Sequence, residues 1–217
     1  MRHEPALPVT LDQLRVAFPS AIGNVRWLSE AALLFRIGVL VAAIGMAVFS
    51  ILTLQHYFAT NYPIGGAPSI CTENTPLLNC AAAASSPIAQ VAQIPIGYFG
   101  LCVAVLFALG AIFASEQFEG TNRLVALVNL IGVVGLFLYS WLHVHAFCPL
   151  CAGYYVSSIV AFLCMFARKR ALRLSFKHLA AFVVIAGLGG YGMRDYHDMR
   201  KQLYSKPAPQ PNKSFSF

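Results

Sequence analysis

Residues 33–54 read LLFRIGVLVAAIGMAVFSILTL, a stretch whose single charge, Arg36, stands near its start. A helix needs about 20 apolar residues to cross the roughly 30 Å hydrocarbon core of a bilayer. The stretch is apolar all round, so it reads as a membrane span and not as an amphipathic surface helix. It shows no two-residue alternation, which excludes a barrel strand. With its flanks the run covers residues 28 to about 58. Four more runs follow, at about 96–113, 124–141, 148–166 and 179–193. The last is short and carries Gly187, Gly189 and Gly190, which would let helices approach closely. Composition agrees: of 217 residues, 58% are hydrophobic and 11% charged, with mean hydropathy +0.67. A soluble domain carries about 25% charged residues, so soluble and disordered classes are excluded. The expectation is an all-α, polytopic membrane protein. Residues 1–27 form a cytoplasmic segment, 28–193 the transmembrane domain with an outer loop at about 59–95, and 194–217 a disordered tail.

The first run does not read as a signal peptide. It is long, polar or mixed residues precede it, and no A-x-A site follows. Basic residues set the orientation. Arg2, Arg15 and Arg26 precede the first run, whereas 59–95 holds no Lys or Arg. Arg123 stands beside Glu116 and Glu119 between the second and third runs. Arg168, Lys169, Arg170, Arg173 and Lys177 lie between the fourth and fifth. The positive-inside rule then puts the N-terminus in the cytoplasm, and the 59–95 loop and the turn before residue 148 on the outer face. Five spans place the C-terminus outside too, against the charges of Arg194, Arg200, Lys201, Lys206 and Lys213. The denser 168–177 cluster outweighs them. The net charge of +7 is then topology signal and attraction to anionic head groups, with no nucleic-acid partner implied. Residues 1–25 read as an amphipathic surface helix, capped by Thr10, with Leu11, Leu14 and Phe18 on one face.

Six cysteines are too few for a disulfide-built scaffold. Cys102 and Cys164 sit inside apolar runs, where free cysteine packs as a small hydrophobe. The other four share the outer face: Cys71 and Cys80 in the long loop, Cys148 and Cys151 in FCPLCAGYY. Pro149 suits a first helical position, which makes Cys148 the N-cap. The positive end of the helix dipole favours its thiolate. Cys151 falls on the same face, one turn deeper. One cysteine is thus reachable from water and the other from lipid. A zinc site could draw on His143 and His145, but HVHAFCPLC has no recognised ligand spacing. A c-type haem site needs His where Ala152 stands. Two structural disulfides would explain the loop pair but not a CxxC at a membrane surface. Eight residues rich in turn formers separate Cys71 from Cys80, so the loop can swing. Ser85-Ser86-Pro87 reads as an N-cap opening a short helix to about Gln93.

The chain resembles the bacterial branch of the vitamin K epoxide reductase family over roughly residues 30–170. The resemblance is carried by the order of the pairs, Cys71…Cys80 then Cys148-Pro-Leu-Cys151. It is also carried by Ser86, where the family has its loop serine or threonine, and by IPIGYFG at 94–100. It implies a four-helix bundle around a quinone with a fifth, peripheral helix. Cys71 and Cys80 would exchange with a thioredoxin-fold partner, Cys80 with Cys148, and Cys151 would deliver electrons to ubiquinone or menaquinone. Tyr155 matches the quinone-contacting tyrosine; Ser86 belongs to the same site. Tyr154 reads as an interfacial belt residue. Many bacterial members carry a fused thioredoxin-like domain. Here only 194–217 follow the last run, so the partner is expected to be a separate periplasmic thiol oxidase. Vertebrate members have an asparagine where Ile96 stands, which suits ordinary quinone reduction here. The implied activity is a thiol–quinone oxidoreductase of the bacterial inner membrane, supporting disulfide formation in secreted proteins. The unrelated disulfide bond formation protein B type has its cysteine pairs in the opposite order. A non-enzymatic scaffold or transporter with two structural disulfides is the alternative, but transport needs ionisable residues inside the membrane, and only Arg36 is clearly within a helix, near its cytoplasmic end where it can snorkel.

Overall fold

The computed structural model describes residues 19–63, 79–113, 116–167 and 176–205. Cys71, the residues read as an N-terminal surface helix up to Phe18, and the basic positions 168–173 lie outside them.

Among the described residues there are five long helices: α1 (Pro19–Asn61), α3 (Ile96–Ile112), α4 (Glu116–Tyr139), α5 (Pro149–Phe166) and α6 (Phe176–Ser205). A short helix, α2 (Cys80–Ala84), precedes α3. Among the described residues, four segments are long and apolar enough to cross a membrane: 33–61, 118–144, 149–166 and 176–205. The protein is therefore an all-α, multi-pass membrane protein. The apolar α3 has 17 residues, about 26 Å at the helical rise, a little short of that measure.

α1 is the central post, packed against α3 on one side and α5 on the other, with α4 closing the bundle. Met46 and Phe107 are fully enclosed at mid-height, among Ala42, Ala43, Ala104 and Ala161. Small residues let the backbones close in, since lipid offers helices no hydrophobic drive to associate. A Cβ at Gly97 would lie 3.0 Å from the Ser50 carbonyl oxygen. Outward, Leu33, Val41, Ile131 and Leu163 are exposed, the lipid-facing surface expected of such a bundle.

Three parts of the chain differ from the sequence reading. Residues 87–93 do not form a helix. A 3-10 turn at Pro87–Ala89 leads into an antiparallel hairpin, Gln90–Val91 against Ile94–Pro95. Its two-residue turn holds Ala92 at φ 51° and Gln93 at φ 67°. Such turns favour Asn-Gly, so neither residue advertised it. Second, Cys80 opens a helical turn instead of sitting in a free loop. The Asn79 side chain accepts from Ala82 N–H at 2.9 Å, and Asn61 Nδ2 donates to Ala84 O at 3.1 Å, tying both ends down.

Third, the last helix does not stop at Met193 but runs to Ser205, so residues 194–205 are not a disordered tail. Its far end is latched onto the cysteine-bearing end of the bundle. His197, 3% exposed, meets the Tyr62 hydroxyl at 3.1 Å and the Tyr57 hydroxyl at 3.3 Å through Nε2. Tyr57 in turn donates to Gln90 Oε1 at 2.8 Å. Arg200 donates to Tyr62 O at 3.4 Å and sits 6.0 Å above the Phe58 ring. Further along, Tyr98 donates to Ala186 O at 2.7 Å, with Gly189 and Gly190 beneath its ring. The end of α6 thus shares a face with residues 79–95.

Candidate functional site

The CxxC forms as its residue types dictate. Cys148 is extended (φ −100°, ψ 116°) and caps α5, with Pro149 at the first helical position. The segment before it is unusual. α4 widens into a π-helical turn, Ser140–Val144, and His145 is left-handed at φ 52°. Ser140 Oγ donates to Ala146 O at 2.6 Å and closes this bend. Asn79 N–H then donates to Phe147 O at 3.1 Å, joining the residue before the CxxC to the residue before Cys80.

That backbone bond sets the two cysteines facing each other. The Cys148 thiol donates to Cys80 Sγ at 3.5 Å. Cys80 is disulfide-bonded and 1% exposed, Cys148 6%. Cys148 and Cys151 are free thiols here. The Cys148 thiol is lowered from 9.0 to about 7. The main cause is a hydrogen bond from the Cys151 thiol. Backbone N–H groups of Cys151 and Leu150 add to it, and burial opposes both. Cys102 and Cys164 are partly buried within the helix packing.

Beside the cysteines lies a cavity of about 230 Å³, larger than the roughly 150 Å³ apolar cavity that admits benzene. Cys148, Cys151, Ser86 and Tyr155 line it, with Ile96, Phe99, Val133 and Leu136 on its apolar walls. A smaller cavity behind touches Cys80, Cys148, Cys151 and His56. Ser86 Oγ donates to Ala83 O at 2.8 Å, so the serine fastens the end of α2 and does not cap the turn that follows. Tyr155 lies 6.5 Å from the Phe137 ring.

A model of the vitamin K epoxide reductase family matches residues 36–166, more than half of the chain. The chain belongs to the vitamin K epoxide reductase family. Searches of curated proteins and of solved structures give no match. As a family member the protein is a membrane thiol–disulfide oxidoreductase. In this vitamin K epoxide reductase family protein, three cavity residues escaped the sequence reading: Ser50, Asn129 and Tyr154. Tyr154 is not a belt residue; it packs against the core and donates to Asn129 Oδ1 at 2.8 Å. Asn129, a lone amide within an apolar run, was the available signal, because polar groups are costly inside a membrane.

Proposed function

We propose that the protein passes electron pairs from a separate thioredoxin-fold protein on the outer face of a bacterial inner membrane to a membrane quinone. The route runs through Cys71/Cys80 and then Cys148/Cys151. The observation that carries this reading is the 3.5 Å approach of Cys148 Sγ to Cys80 Sγ, beside an apolar cavity walled by Cys151 and Tyr155. α3 serves as a further span, bringing both loops to one face.

Each transfer is attack of a thiolate on a disulfide sulfur. A partner thiolate attacks Cys71 and breaks the Cys71–Cys80 bond. Cys80 leaves as a thiolate; the partner's second thiolate then attacks its own sulfur in the mixed disulfide, so the partner leaves oxidised and Cys71 is freed as a thiolate. Cys80 attacks Cys148 of the Cys148–Cys151 disulfide, and Cys151 leaves as a thiolate. Closure of Cys71 on Cys80 restores the loop disulfide and leaves Cys148 and Cys151 as a dithiol. A bound quinone supplies a two-electron, two-proton sink. The chain fits one: apolar walls, a thiol on the wall and a buried hydroxyl, Ser50, with no partner among the described residues. Cys148 and Cys151 re-form their disulfide as two electrons and two protons depart.

Trapping tests the relay. In Cys151→Ala, the Cys148 thiolate attacks Cys80 of the loop disulfide and expels Cys71 as a thiolate, and no Cys151 thiol is there to release Cys148. A Cys80–Cys148 disulfide should accumulate on non-reducing gels and in peptide maps. Its absence in a folded variant would sink the relay.

A further inference from the structure

The inner end of the 230 Å³ cavity is polar, and the relay uses none of its polar groups. Ser50 is 2% exposed, yet its hydroxyl has no hydrogen-bond partner among the described residues. Seven residues separate it from Tyr57, so it lies about 10 Å deeper along α1 than that outer-end tyrosine. A buried hydroxyl left unpaired is costly, and in native structures such a group calls for an explanation. Across the cavity, the Tyr154 hydroxyl donates to Asn129 Oδ1. That bond orients the amide, leaving Nδ2 with its two N–H donors and no protein acceptor among the described residues. Gly100 keeps the floor open. A Cβ there would stand 2.7 Å from Ser50 Oγ and 2.9 Å from Tyr154 Cε2.

We infer that Ser50 Oγ and Asn129 Nδ2 form a donor pair for a ring carbonyl of the acceptor, at the end of the cavity away from Cys148. The inference rests on the quinone reading and deepens it. Two donors converging from α1 and α4 are what a carbonyl oxygen with two lone pairs can use. Both strengthen as the oxygen gains charge on reduction. The site would favour rings with a carbonyl on that edge over bare hydrocarbons of the same shape. Asn129 and Ser50 are binding residues; Tyr154 is a positioning residue acting through Asn129.

The test uses the full chain in its oxidised form, which cannot turn over, with equilibrium binding of 1,4-naphthoquinone and of naphthalene. Ser50→Ala deletes only an unpaired hydroxyl, so it should melt at or above the wild-type temperature. Its naphthoquinone affinity should fall roughly tenfold, and its naphthalene affinity should hold. Asn129→Leu should do the same. In turnover with ubiquinone-1, Ser50→Ala should raise KM at least as strongly as it lowers kcat. Unchanged naphthoquinone affinity in Ser50→Ala, or equal losses for both probes, would overturn the donor pair. If the wild type itself binds no quinone, the acceptor reading beneath it fails instead.

Discussion

Cys148 is the group whose chemistry the structure specifies most closely, and Cys151→Ala perturbs it directly. The Cys148 thiol sits at about 7 instead of 9.0, chiefly because the Cys151 thiol donates to its sulfur. At pH 7 that leaves about half of it as thiolate, against roughly one part in a hundred at the ordinary value. The gain in reactivity is smaller than that fiftyfold, because a more acidic thiol is a weaker nucleophile. With a Brønsted slope of about 0.4–0.5, the two-decade fall in basicity costs about six- to tenfold in intrinsic rate. Cys148 should then react at pH 7 about five to eight times faster than an ordinary thiol in the same place. Removing the Cys151 donor leaves only the backbone N–H groups to oppose burial, so the midpoint should climb toward 9. The assay is the pH dependence of iodoacetamide labelling at Cys148, read by mass spectrometry. Its background carries Ala at positions 71, 80, 102 and 164, so that no other sulfur competes. The midpoint should lie near 7 with Cys151 present and rise by more than one pH unit in Cys151→Ala. A midpoint near 9 with both thiols in place, or one that Cys151→Ala leaves unmoved, would refute the assignment of cause.

Two further outcomes follow from the packing. Ala92 and Gln93 hold left-handed φ values that non-glycine residues adopt at a cost. Replacing the pair by Asn-Gly should stabilise the protein by about 1–2 kcal/mol, read as a higher melting temperature; an unchanged or lower one would contradict the turn assignment. His197→Ala removes the hydrogen bond to Tyr62 and an edge-on ring contact at 5.2 Å, about 2 kcal/mol together. Hydrogen exchange at 194–205 should accelerate while the α1–α3–α5 core stays protected. Equal exchange in both proteins would mean that the latch is not formed.

What was legible in the sequence was one-dimensional. Apolar runs of span length announce themselves, and so does a CxxC followed by a helix, because Pro149 and Cys148 act within one turn. The order of the cysteine pairs needed no geometry at all. The hairpin at 90–95 escaped because its turn is made by Ala92 and Gln93, held left-handed by what surrounds them and not by their own preference. The π turn at 140–144 escaped for a like reason: it exists to redirect the chain so that Phe147 O meets Asn79 N–H, a partner far away in sequence.

The basic C-terminal segment shows why a rule that counts residues stumbles where residues have partners. The positive-inside rule treats each Arg or Lys as an uncommitted charge near the membrane. Arg200 is committed: it donates to Tyr62 O and covers the Phe58 ring, on the cysteine-bearing face. Its charge therefore reports packing and not topology. The same logic governs the cavity floor. Ser50, Asn129 and Tyr154 come from three helices; Asn129 stands out as a lone amide, but Ser50 and Tyr154 each read alone as an ordinary residue of a span. Only the close approach allowed at Gly100 brings Ser50 and Tyr154 to one floor. A polar residue inside a membrane helix is then best judged by whether the protein satisfies it. Tyr154 and Asn129 Oδ1 satisfy each other, whereas Ser50 Oγ is left with nothing but the cavity to face.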